Sequence, residues 1–163
     1  YIFYMWKGGF MKNYIINEDI LCFTSDSDGK LLVMEKDRKI NIVGTGLKFI
    51  KKSCLWYGHS YNLQRQFVID KFNYYIKTPI IISEYKNLLF FPTASPNSEK
   101  CVWISYNNVD RYAKEDNNIT KIYFKSGKVL NISASYTTID SQITKCIKIE
   151  KYLSDMFKKV MKN

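Results

Sequence analysis

The chain has 163 residues, 46% hydrophobic and 25% charged, with 13 Tyr and 10 Phe, so it holds enough apolar mass for one packed domain. Seven Gly and three Pro exclude collagen-like or linker-rich character. Twenty-five basic residues against 15 acids leave a net charge of +10, which points to an anionic partner. The bases are 22 Lys and three Arg, and Ile, Asn, Tyr and Phe are also plentiful, so A/T-rich codon usage accounts for part of the excess.

In chain order, Tyr1–Trp6 is apolar but short, without a basic leader or a small-residue cleavage site. With Met5 and Met11 as natural starts, residues 1–10 read as an extra N-terminal segment ahead of a domain over 11–163. No stretch approaches the ~18–20 apolar residues of a membrane span. Ile20–Thr24 and Lys30–Met34 read as strands joined by the turn Ser25-Asp26-Ser27-Asp28-Gly29, whose carboxylates lack the spacing of a calcium loop. Thr45 can cap a short helix that runs to Tyr57 and ends at Gly58, with Lys48, Lys51 and Lys52 on one face.

Pro79 closes that basic stretch. Ile80–Ile82 and Leu88–Phe91 form a hairpin stopped by Pro92, and Cys101–Ile104 is a further strand. Ile119–Phe124 turns at Lys125-Ser126-Gly127 and returns as Val129–Ile132. From Thr138 the period becomes helical, with a stripe of Ile139, Ile143, Cys146, Ile147, Leu153, Met156, Phe157 and Val160. The expected fold is a single α+β domain: antiparallel β-hairpins, a short helix near 45–57 and a longer C-terminal helix near 138–160. Trp56, Tyr57 and Trp103 are expected in its core.

Dividing the charge is informative. Residues 1–44 carry six bases and six acids, and residues 79–118 four bases and five acids. Residues 45–78 carry six bases and only Asp70, and residues 119–163 carry nine bases and three acids. Codon bias spreads lysine evenly; it does not strip acids from two segments. The expectation is that these segments converge into one cationic face.

Enzyme chemistry finds no support. There is no nucleotide-phosphate loop, the only histidine is His59, and no nucleophile context surrounds it or Cys54. Cys22, Cys54, Cys101 and Cys146 are too scattered for a zinc site and read as reduced core thiols of a cytoplasmic protein. No metal site, cofactor or membrane contact is expected.

The stretch Ser53-Cys54-Leu55-Trp56-Tyr57-Gly58-His59-Ser60-Tyr61 resembles the motif of the ComK family of bacterial competence transcription factors. Lys77-Thr78-Pro79-Ile80, Leu89-Phe90-Phe91-Pro92-Thr93, Trp103-Ile104, the Phe124–Gly127 turn with Val129–Tyr136, and Gln142 resemble further family segments in the same order. After Tyr61 the family usually continues x-Gly-(Arg/Lys)-Lys, whereas this chain reads Asn62-Leu63-Gln64-Arg65. The resemblance implies a transcriptional activator of DNA-uptake genes. It implies reading of paired A/T-rich boxes largely through the minor groove, by dimers that pair into tetramers, under control of a proteolytic adaptor protein.

On that footing Arg65 is the candidate for minor-groove insertion, because guanidinium is less strongly hydrated than ammonium. Lys51, Lys52, Lys71 and Lys77 are candidates for phosphate contacts, with Ser60 and Tyr61 as auxiliary donors. The competing reading is a regulatory or protein-interaction paralogue without DNA affinity.

Overall fold

The computed structural model describes residues 14–162; the extra segment expected over residues 1–10 lies outside them. The elements are β1 (Ile20–Ser25), β2 (Lys30–Glu35), β3 (Lys39–Val43), α1 (Gly46–Trp56), α2 (Tyr61–Phe72), β4 (Ile80–Ser83) and β5 (Leu88–Pro92). They continue with β6 (Val102–Ser105), a 3-10 turn (Tyr106–Asn108), β7 (Val109–Asp116), β8 (Ile119–Phe124), β9 (Val129–Ile132) and α3 (Tyr136–Val160). A six-stranded sheet has the order β3-β2-β1-β6-β5-β4, and a three-stranded sheet the order β7-β8-β9. Every pairing is antiparallel. This is the expected single α+β domain.

Apart from its edge strand β3, the large sheet is buried on both faces, which explains why strands such as β4 and β5 read as unbroken apolar runs rather than as alternations. On one face Phe23, Leu31, Val33, Ile80, Ile82, Phe90 and Trp103 pack with Phe49, Ile50 and Cys54 of α1. On the other, Cys22, Met34, Ile81, Leu89, Phe91 and Ile104 meet Ile122 and Phe124 of β8 and Ile139, Ile143, Cys146 and Ile149 of α3. Register enforces the division: Phe23 lies opposite Val33 and Trp103, while Cys22 lies opposite Met34 and Ile104. Truncating a fully buried aromatic such as Phe90 costs about 3–5 kcal/mol.

Local signals act as anticipated. The Thr45 hydroxyl accepts from Lys48 N at 3.3 Å, capping α1. Gly58, at φ +80°, turns the chain out of α1 in the left-handed region that a Cβ disfavours. Asp26 Oδ1 accepts from the backbone N–H groups of Asp28 and Lys30, so this carboxylate organises the β1–β2 turn. All four cysteines are buried and unbridged. Among the described residues, no helix is long and apolar enough to cross a membrane.

Three elements lack a sequence signal, and two expectations fail. β3 is a short edge strand with only Ile40 and Ile42 half-buried. β7 is largely exposed at the edge of the small sheet. α2 buries Gln64, Val68 and Ile69 but leaves Leu63 in solvent, so polar and apolar residues do not segregate along its sequence. Trp56, expected in the core, is 65% exposed, because α1 turns its Phe49–Ile50–Ser53–Cys54 face to the sheet and Trp56 lies off that face. The apolar stripe of α3 stops being buried after Ile149. Ile147 is exposed because it points away from the face that buries Cys146 and Ile149, Leu153 is half-buried, and Met156, Phe157 and Val160 on the last turns are exposed.

A candidate nucleic-acid interface at the loop between α2 and β4

The family-like segment that ends α1 is held by backbone and hydroxyl bonds. Ser53 Oγ accepts from Ile16 N at 2.9 Å, and the Tyr57 hydroxyl donates to Ile16 O at 2.9 Å. His59 N donates to Cys54 O at 2.8 Å. Burial pushes the Cys54 thiol up to about 11, so it stays protonated and unreactive near neutrality. Ser60 is the N-cap of α2, with no side-chain bond to the helix end. The turn therefore serves to set α2 against α1.

That setting gathers cations. Lys51, exposed on α1, places its ammonium 5.6 Å from the centroid of the Tyr61 ring at the start of α2. Lys52 is exposed beside it. Arg65 lies one helical turn beyond Tyr61, and its charge partly offsets the upward push of burial on the Tyr61 phenol, which stays a protonated donor. Of the residues at the altered family positions, Leu63 is exposed while Gln64 is buried, so Gln64 cannot stand in for a surface base. Lys71 lies on another flank of α2, about 120° around the helix from Arg65. Its ammonium sits 5.9 Å from the Tyr152 ring of α3. Tyr152 also meets Phe67 and Phe72, and Phe72 stacks on Tyr74.

The loop from α2 to β4 is the centre of this arrangement. Four consecutive carbonyls each accept from a named side chain. Thr78 Oγ1 donates to Tyr74 O at 2.6 Å, and Arg65 Nη2 to Tyr75 O at 3.1 Å. Lys145 Nζ donates to Ile76 O at 2.8 Å, and Gln142 Nε2 to Lys77 O at 2.8 Å. The same Gln142 nitrogen reaches Pro92 O at 2.6 Å, which ties the loop to β5. Asn73 and Lys77 hold left-handed backbone at φ 59° and 50°, a conformation uncommon for lysine that persists only where surroundings fix it.

Arg65, Lys77 and Lys145 thus surround one short loop. Lys145 also lies 5.5 Å from the Tyr74 ring; burial first, then the charge of Lys77, holds its ammonium below the usual lysine value. Among the described residues, no ion pair ties Lys51, Arg65, Lys71, Lys77 or Lys145 to a carboxylate. The ion pairs Lys36–Asp19, Lys86–Glu18 and Lys121–Glu115 lie elsewhere. No group of three or more metal-ligating side chains occurs among the described residues.

Sequence reasoning selected Lys51, Lys52, Ser60, Tyr61, Arg65, Lys71 and Lys77. The fold brings Lys51, Tyr61 and Arg65 together and joins Lys77 to them through the loop, while Lys71 faces α3. Lys145 and Gln142 were missed as site residues, though Gln142 matched a family position. Their bonds span 69 and 65 residues and have no local signal.

A sequence model described as ComK protein matches residues 11–158, nearly the whole chain. The chain belongs to the ComK family. A relative, the competence transcription factor of Bacillus subtilis (strain 168), is 25% identical over 136 residues, which cover 82% of this chain and 71% of that protein. No solved structure matches. The family match spans both α1 and α2, the loop between α2 and β4, and most of α3, so every residue of the candidate interface falls inside it.

Proposed function

We propose that this chain is a competence transcription regulator that binds double-stranded DNA and activates genes for DNA uptake. In this reading it selects A/T-rich boxes largely through the minor groove. Membership of the ComK family and the name of the Bacillus subtilis relative support the regulatory role. The observation that carries the DNA-binding part is the set of cations around the 74–77 loop, free of carboxylate partners among the described residues.

Such cations neutralise phosphates and release counterions. Lys51, Lys52, Lys71 and Lys77 serve as phosphate contacts, with Ser60 and the protonated Tyr61 hydroxyl as donors. Arg65 spends one of its five N–H groups on Tyr75 O and keeps the rest for the acceptor-lined A/T minor groove. With about four phosphates neutralised per subunit, log affinity falls with log salt at a slope of about −3.6. Assembly into dimers or tetramers and control by a proteolytic adaptor complete the reading. Self-association is supported by the exposed Met156, Phe157 and Val160 on the last turns of α3.

A gel shift with an A/T-tract duplex, a shuffled duplex and RNA, repeated with a minor-groove competitor, tests the proposal. Arg65→Ala is expected to reduce the preference for A/T-tract over G/C-rich duplex, while Lys51→Ala weakens both alike. Equal losses from both variants on both duplexes remove the division of labour. Absence of any shift favours the regulatory paralogue without DNA affinity.

A further inference from the structure

Tyr75 is 62% and Ile76 75% exposed, two large apolar side chains standing in water at the tip of the loop between α2 and β4. Solvent-exposed loop tips are ordinarily mobile and polar. This one is apolar, and its backbone is fixed at every carbonyl from Tyr74 to Lys77 by Thr78, Arg65, Lys145 and Gln142. These clamps come from the loop itself, from α2 and from α3, and two of them are cationic. Holding four successive carbonyls this way costs side-chain entropy, and the part of the loop that gains fixed geometry is the apolar tip. A rigid tip loses little entropy on docking.

The surroundings select the occupant. Arg65 and Lys145 flank the tip through their bonds to the carbonyls of Tyr75 and Ile76, and Lys77 follows directly in the chain. An apolar point between cations complements a groove with anionic phosphate walls in which a base step can open to expose apolar stacking faces, and the minor groove of duplex DNA offers both. Minor-groove proteins insert Ile, Leu, Phe, Met or Pro between base pairs and unstack the step. Ile76 is β-branched and stiff at χ1, which suits a wedge.

We propose that Ile76, supported by Tyr75, is an apolar wedge that enters a flexible step of the minor groove and unstacks it. Arg65, Lys145 and Gln142 act as positioning residues that hold the wedge upright. This inference rests on the DNA-binding reading above and adds to it the residue that deforms the duplex.

The test uses an A/T-rich duplex with 2-aminopurine at a central TpA step, because that base brightens when it is unstacked and pyrimidine–purine steps unstack most easily. Binding is followed separately by the anisotropy of an end label. The wild-type chain is expected to bind and to brighten the 2-aminopurine. Ile76→Ala, a truncation of an exposed side chain, is expected to bind about tenfold more weakly, the loss of the isoleucine's buried carbons being partly offset by the unstacking no longer incurred, and at saturation to leave the base dark. Lys145→Met is expected to blunt the brightening, and Lys145→Arg to restore it.

Ile76→Ala brightening the base as fully as wild type overturns the wedge. So does wild-type binding without brightening, which leaves the DNA-binding reading intact. No anisotropy change with wild type defeats the DNA-binding reading and the wedge with it. If Ile76→Ala leaves DNA binding and brightening unchanged but alters sedimentation of the DNA-free chain, the tip is a protein contact instead.

Discussion

The two lysine-rich segments carry similar charge excesses, yet the fold places them differently. In residues 45–78 the bases lie on α1, α2 and the following loop, cushioned on Tyr61 and Tyr152 and without ion pairs to Lys51, Arg65, Lys71 or Lys77 among the described residues. In residues 119–163 Lys121 pairs with Glu115 at 2.8 Å, and Lys128 donates to Glu35 O at 3.0 Å. Lys148, Lys151, Lys158 and Lys159 are exposed along α3. Lys145 is the base of this segment that, among the described residues, bonds to the other segment's loop, through Ile76 O. The expected convergence is partial: the segments touch where α3 meets α2 and the 74–77 loop, through Gln142, Lys145 and Tyr152, and the cations of the rest of α3 lie away from that seam. Equal charge excess does not mean equal placement: Lys51, Arg65 and Lys77 stand near one another with no ion pair to a carboxylate among the described residues, while Lys121 is paired.

The largest expected effect separates the segments directly. Replacing Lys51 and Lys52 by Ala and Lys77 by Asn, which tolerates the left-handed backbone at that position, is expected to make the salt slope of DNA binding shallower by about 2.7. The matching triple Lys148→Ala, Lys151→Ala and Lys158→Ala is expected to leave the slope unchanged. Equal changes in the two triples, measured by anisotropy over a salt series, erase the distinction between them.

A smaller effect concerns the joint between the segments. Gln142 is buried and bonds both Lys77 O and Pro92 O, so Gln142→Ala strands two acceptors. Urea unfolding is expected to show a loss of about 2 kcal/mol, the cost of leaving buried polar groups unsatisfied. A loss within the error of the measurement means that the loop is held without Gln142.

The smallest effect belongs to a lysine that is paired. Glu18 sits 3.0 Å from Lys86, and a backbone hydrogen bond, with Lys86 next, holds its carboxyl below the usual value of 4.5. A depressed carboxylate value means that the unfolded chain binds the proton more readily. The stabilisation is therefore complete above about 4.5 and is lost as pH falls through the lower folded value. Acid unfolding of Glu18→Gln is expected to be slightly flatter in that window, with DNA affinity at neutral pH unchanged. A change in affinity places Lys86 among the binding cations instead.

Much of the scaffold was legible along the chain. Ile80–Ile82 and Leu88–Phe91 between turn residues announce a hairpin, and Thr45 with Gly58 brackets α1, because backbone preference and capping are local physics. β3 and β7 escaped because each of these two strands buries too little to leave a strong pattern. α2 escaped because its buried Gln64 and exposed Leu63 run against the usual sorting of polar from apolar. In the site, Lys51 and Arg65 were legible as bases in an acid-poor stretch. Tyr75 and Ile76 carry no such mark, since an apolar pair in a sequence gives no sign that it stands in solvent.

By itself the sequence determined the local turns and caps, the apolar runs that had to be buried, the acid-poor stretch and the ordered motifs of the family. Those features depend on neighbours a few residues away. Only the tertiary structure decided that Trp56 faces water, that α3 outruns its packing, and that Lys145 and Gln142 reach back to clamp the 74–77 loop. Each of those outcomes depends on where distant elements come to rest, and a hydrogen bond across 69 residues is encoded by the whole packing arrangement, not by either residue's surroundings in the chain.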